Sequence, residues 1–321
     1  MISRRAMMAS LAAFASAGPA LAADKAYRAP RTRFGTPDFE GLWTNASYTE
    51  LERPDDLKTL VVTPEDARKW EAKLAKSGGV NVGPDPVGQG DSEFPESGSG
   101  LARIKGEIRG SWIVDPADGQ LPYSEAGRKA IGLGKYRRNR YDNPEDRPHS
   151  ERCLTAEATG APMISAADTN VLQILQTRDA VVFLTEKYHD ARIVRLNLGP
   201  APADTPTSWL GECRGRWDGE TLVVTTTHLR PGYQERSWGF WLSGAAQIEE
   251  RFTRTSAGEI FYAFTVTDPS IYTQTWRGEM VFHVSPGAIY EYACHEGNYG
   301  IVNILGAARL GNQPAPKPPV P

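Results

Sequence analysis

Apolar and polar positions follow a helical period before about residue 160 and a period of two after it. In the first part, Thr63-Pro64-Glu65-Asp66 opens a helix. Thr63 is a good cap, Pro64 suits the first turn, and the two acids favour the positive end of the helix dipole. The pattern carries this helix to about residue 76, where Gly78-Gly79 stops it, and predicts a second helix from 124 to about 138. Residues 113–114 read as a short strand before the turn at 115–119. Residues 78–100 are rich in Gly, Pro, Ser and acids and read as a linker.

From about residue 168 the alternation predicts strands at 170–176, 180–187, 192–196, 222–227, 246–253, 260–267, 275–283 and 289–293. Trp217-Asp218-Gly219-Glu220 places Asp-Gly between two of them, which is a hairpin signal. Gly and Pro turn signals separate the others. Strands this short, with no helices between them, predict a mostly β protein: an antiparallel, lipocalin-like barrel or a sandwich. A parallel sheet would need crossovers of a dozen or more residues. The organisation is therefore a β domain over 161–310, preceded at 23–160 by an irregular segment whose two helices wrap or plug it, and followed by a Pro-rich tail at 311–321.

Residues 1–22 are set apart from the fold. Ser3-Arg4-Arg5, the apolar run 6–17 and Ala20-Leu21-Ala22 form a signal peptide, and the arginine pair predicts the twin-arginine route to the periplasm. The apolar run is too short to cross a bilayer, so no membrane insertion is expected once it is removed. The chain carries 36 Lys and Arg against 39 Asp and Glu. That balance gives no reason to expect nucleic acid or an anionic membrane surface as partner. No Gly-x-Gly-x-x-Gly follows a strand, and neither a Walker loop nor a Gly-x-Ser-x-Gly elbow occurs. Nucleotide-cofactor enzymes and α/β-hydrolases are disfavoured, and no cofactor is expected.

The candidate chemistry lies in four places. Residues 290–300 gather Tyr292, Cys294, His295, Glu296 and Tyr299 at the predicted end of the last strand. His189-Asp190 sits between two strands, where a turn would let the pair converge as a general base and its orienting carboxylate. Arg192, Arg214 and Arg216 offer forks for an anion, with Trp217 beside them. Alternation puts Gln247, Glu249 and Arg251 on one strand face and Ile248, Glu250 and Phe252 on the other, so Glu250 is an inward carboxylate in need of an Arg or His. His189, His295 and a carboxylate would also suit a metal, although neither His-Glu-x-x-His nor His-x-His is present. His149, His228 and His283 lie in loop or alternating positions and read as plain polar residues.

Several of these segments, in order, resemble a large family of exported bacterial proteins of unknown function. They are Gly110-Ser111-Trp112-Ile113-Val114-Asp115-Pro116, Glu151-Arg152-Cys153-Leu154, His189-Asp190-Ala191-Arg192, Arg214-Gly215-Arg216-Trp217-Asp218-Gly219, Glu250-Arg251-Phe252-Thr253 and the 290–299 stretch. The chain departs from the family at Glu212-Cys213, where relatives often carry Asp-Ser, and at Gln247, where some carry a His. The resemblance implies no substrate. It does imply a Cys153–Cys294 disulfide, because these two of the three cysteines lie inside its motifs; Cys213 is left over.

Two functional readings follow. The first is a periplasmic lyase, isomerase or hydrolase acting on a small organic molecule. Its catalytic groups are His189, Asp190, His295, Glu296 and Glu250, and its substrate-binding groups are Arg192, Arg214, Arg216, Trp217, Tyr292 and Tyr299. The alternative is a non-catalytic carrier with a cavity lined by aromatic residues such as Trp209, Trp217, Trp238, Trp241 and Trp276. The placement of His189 and His295 discriminates between them. One shared pocket with a carboxylate favours the enzyme, and scattered surfaces favour the carrier.

Overall fold

The computed structural model describes residues 27–76, 100–155, 159–165, 170–230, 233–237 and 240–310. The predicted signal peptide, most of the 78–100 linker, Trp238 and the Pro-rich tail lie outside them.

The segment before the barrel contains β1 (Gly41–Thr44), α1 (Pro64–Lys76), the small hairpin β2 (Arg103–Ile104) and β3 (Glu107–Ile108), β4 (Ile113–Asp115) and α2 (Glu125–Arg138). Then come β5 (Val171–Gln176), β6 (Ala180–Thr185), β7 (Ala191–Leu196), β8 (Glu212–Asp218) and β9 (Thr221–Thr227). A hairpin of β10 (Tyr233–Ser237) and β11 (Phe240–Ser243) precedes β12 (Gln247–Ser256), β13 (Glu259–Thr267), β14 (Trp276–Val284) and the final helix α3 (Tyr299–Leu310). Both predicted helices begin at the predicted caps. The Thr63 hydroxyl accepts from the Asp66 amide at 3.1 Å, and that of Ser124 accepts from Gly127 at 2.9 Å.

Nine strands close into a barrel in the order β1-β5-β6-β7-β8-β9-β12-β13-β14, with β14 returning to β1. Strand direction cannot alternate all the way round a ring of odd number, so one neighbouring pair must be parallel. That pair is β7–β8, where Val194 lies opposite Cys213 and Leu196 opposite Gly215. The expected antiparallel barrel forms with this one parallel pair in it. The chain makes the parallel step through a long crossover, residues 197–211, which lies against the outside of the barrel. A Cβ on Gly215 would come within 2.5 Å of a Val194 methyl, so glycine is what lets the two strands face each other inside.

The segment before residue 161 does more than wrap the barrel. Its β1 is a barrel strand, with Trp43 paired to Leu172 on one side and to Val284 on the other. Gln176 fixes the approach to β1 by accepting from the Phe39 amide at 2.6 Å and donating to the Pro37 carbonyl at 3.0 Å. Residues 159–165 reach into the core, burying Ala161, Met163 and Ile164. A satellite core of Leu57, Val62, Ala67, Trp70, Leu101 and Ile108 forms beside α1.

The predicted strand at 289–293 does not form; these residues are irregular. β14 already has β13 on one edge, with β1 and β4 on the other, so a closed sheet leaves nothing to pair with. The chain then turns into α3, where the Asn298 side chain accepts from the Ile301 amide at 3.4 Å as a cap.

Candidate functional site

The inward positions of the strands are filled. Phe252 stacks on Phe183 and Tyr262 with ring centroids 5.0 and 4.7 Å apart, and Trp276 meets Phe264 edge-on at 5.6 Å. The aromatic residues expected to line one cavity are instead divided. Trp276 lies in this core, Trp217 packs edge-on against Phe39 at 5.4 Å, and Trp209 lies on the crossover.

Within this apolar interior lies one charged network. Arg192 grips both carboxylate oxygens of Glu250, with Nη1 donating to Oε1 at 2.9 Å. Its Nη2 also donates to Thr226 at 3.0 Å, and its Nε contacts the Cys213 sulfur at 3.2 Å. The Tyr262 hydroxyl donates to Glu250 at 2.8 Å and accepts from the Met163 amide at 2.9 Å. Burial opposes the Arg192 charge, but attraction to Cys213 and Glu250 prevails and holds its pKa above the ordinary guanidinium value. Burial, with the Glu250 charge beside it, pushes the Tyr262 phenol well above the usual tyrosine range. Glu250 therefore faces inward with an Arg partner, and both side chains are sealed from solvent. Arg192, expected to bind substrate, has its guanidinium fully engaged inside the barrel.

The 290–300 stretch forms a strap. Cys294 is bonded to Cys153, whose neighbour Tyr188 meets Tyr292 edge-on at 5.1 Å. Asn298 donates to the Glu151 carbonyl at 3.0 Å, and the Tyr290 amide donates to Glu186 at 3.0 Å. His295, Glu296 and Tyr299 are exposed on it. His189 is exposed in the turn between β6 and β7, in the left-handed region at φ 41°. Among the described residues no hydrogen bond or ion pair joins either imidazole to a carboxylate, and no group of three His, Cys, Asp or Glu side chains converges as a metal site. Asp190 parts company with His189: its Oδ2 accepts from Thr155 at 2.8 Å and Thr159 at 3.1 Å.

Asp190 instead joins a cleft of about 610 Å3 between β7, the crossover and Leu154–Thr155. Ile193, Trp209 and Leu210 give it apolar surface; Asp190, Arg195, Glu212 and Arg214 give it charge. Glu212 is held by Arg195 at 2.6 Å and Arg214 at 2.8 Å. Trp209 is fixed between neighbours: the His149 ring lies 4.2 Å away and the Arg230 guanidinium 4.6 Å over the indole. The crossover returns to β8 through Gly211 at φ 74°, where a Cβ would lie 2.5 Å from the Thr227 carbonyl oxygen. Of the predicted site residues, Asp190 and Arg214 line the cleft, while the Arg192 side chain is sealed inside the barrel beneath it; Arg214 also borders a second groove across the crossover, which Arg216 lines. Sequence reading missed Thr155, Thr159 and Ile193. The two hydroxyls four apart beside Cys153 are the one signal in the sequence that would have marked them.

No protein-family model and no curated protein sequence matches the chain. Among solved structures, a mutant of the fluorescent protein UnaG is similar over 49% of this chain and 89% of its own, at 12% identity and a TM-score of 0.24. A likeness at that level carries no argument, and the barrel rests on its strand pairings. Among the described residues no helix is long and apolar enough to cross a membrane.

Proposed function

We propose that this chain is an exported, non-catalytic binder of a small organic molecule, which it holds in the cleft on the outside of the barrel. One observation carries the reading: a cleft of about 610 Å3 in which a fixed indole, Trp209, faces apolar and charged side chains. Ligand sites are typically concave, largely apolar and furnished with a few placed polar groups. The barrel centre is occupied by stacked rings. Exposure of both His189 and His295 supports binding over acid–base catalysis.

Export to the periplasm is part of the proposal. The Ser3-Arg4-Arg5 start with its apolar run supports it, and the Cys153–Cys294 bond suits an oxidising compartment. Membership of the exported family rests on the ordered motifs. The test is native mass spectrometry of the mature protein purified without denaturant, backed by a thermal-shift screen of small organic molecules. A retained molecule, or a hit that raises the melting temperature, is expected. Empty protein together with a screen that gives no hit overturns the proposal.

A further inference from the structure

We infer that the chain has a second binding site, for a monocarboxylate with an apolar body, in the groove of about 410 Å3 on the other side of the crossover. The groove is lined by Leu198 and Pro200 of the crossover, Arg216 of β8, Val223 of β9, His228, and Gln247 at the start of β12.

The charge pattern of this barrel face singles out Arg216. Arg214 is paired with Glu212 at 2.8 Å, and Arg251 with Asp218 at 2.9 Å. Among the described residues no acceptor meets Arg216, which occupies the strand position opposite Val223. An exposed arginine with an unused fork beside apolar surface is a ready partner for a carboxylate.

His228 supplies a second, independent observation. It lies in the left-handed region at φ 55°, which a side chain with a Cβ enters at a cost and holds only when its surroundings fix it. The surroundings do so: the His228 carbonyl accepts from the Ser208 amide at 3.1 Å, and the Ser208 carbonyl accepts from Arg230 at 2.8 Å. The side chain is fixed too, with Nδ1 2.8 Å from the Thr227 hydroxyl. When that hydroxyl donates, Nε2 carries the hydrogen and is a donor. A strained backbone thus presents an oriented donor at one end of the groove whose other end Arg216 lines.

The ligand class follows from what is there and what is taken. One unpaired guanidinium matches a single negative charge; a phosphate dianion would call on Arg214 as well, and Glu212 holds that one. Leu198, half exposed at 50%, and Pro200 provide a wall for hydrocarbon or an aromatic ring. Gln247 completes the rim with an amide that donates and accepts.

The test is calorimetric titration of the mature, disulfide-bonded protein with benzoate, 4-hydroxybenzoate and hexanoate, using benzamide and inorganic phosphate as controls. At least one carboxylate is expected to bind with a Kd below about 1 mM. Arg216→Ala, an exposed change that leaves the melting temperature in place, weakens it at least tenfold. Arg216→Lys keeps part of the affinity, and His228→Gln weakens binding less than Arg216→Ala. Trp209→Ala leaves this binding unchanged, which separates the groove from the cleft. Absence of binding by all three carboxylates overturns the inference, as does equal affinity in Arg216→Ala or equal binding of benzamide or phosphate.

Discussion

Arg192 on β7 and Glu250 on β12 form a two-pronged ion pair across the inside of the barrel, with β8 and β9 lying between their strands in the sheet. Each is almost wholly covered, at 2% and 0% exposure. Two charges taken out of water are tolerated only because every prong is answered. Replacing one partner leaves the other charged, buried and alone. Arg192→Met or Glu250→Leu is expected to lower unfolding free energy by about 3–5 kcal/mol. The double change Arg192→Met/Glu250→Leu is expected to cost less than either. Denaturant unfolding of the four proteins of the cycle measures it; additive losses would contradict the pairing.

The Cys153–Cys294 bond closes a loop of sequence separation 141 and ties the 290–300 strap to the segment before the barrel. The chain-entropy model gives about 5 kcal/mol for a loop of that length. Cys153→Ser/Cys294→Ser should therefore unfold at clearly lower denaturant, while Cys213→Ser, at the free buried thiol, should cost far less. Equal losses would show that the strap is held by other contacts.

Gly215 sets the spacing of the parallel pair. Gly215→Ala drives a methyl into Val194 and Leu196 and is expected to destabilise by about 1–3 kcal/mol through overpacking. Val194→Ala should recover part of that loss, a coupling that unfolding curves of the two singles and the double detect.

Tyr262 and Tyr272 are held protonated well above the ordinary phenol pKa, first of all by burial. The unfolded chain releases those protons near pH 10 and the folded chain does not. Above that pH the unfolded state binds fewer protons, so stability falls as pH rises, and it is fully retained below. A tyrosinate absorbance titration should show these two phenols ionising only on unfolding. Reversible ionisation of every tyrosine in folded protein would contradict their burial.

Much of this architecture is legible in the sequence because a half-buried strand writes its burial as alternation. The 247–252 stretch is the clearest case: Ile248, Glu250 and Phe252 all face inward, as their spacing requires. What stays hidden is set by closure. β1 is four residues long and carries no period of its own; only the open edges of β5 and β14 make it a strand. The 289–293 stretch has the period and no edge to join. The candidate site follows the same logic. Glu250 is readable from its neighbours, whereas the partners of His189 and His295 depend on where a strap and a turn settle. Both turned outward, and the cleft formed at the crossover, where Asp190, Trp209 and the arginines carried the signal.

The central claim is that the ligand lies in the outer cleft beside Trp209. The most direct measurement is the affinity of the co-purifying or screen-identified molecule for wild type and for Trp209→Ala, followed by tryptophan fluorescence. Removing a central indole from a binding site typically costs about 2 kcal/mol or more, so affinity should fall roughly 30-fold with the melting temperature held. His295→Ala and His189→Asn, the latter chosen to suit the left-handed backbone, should leave affinity unchanged. Undiminished binding in Trp209→Ala, with loss in either histidine variant, would contradict the account.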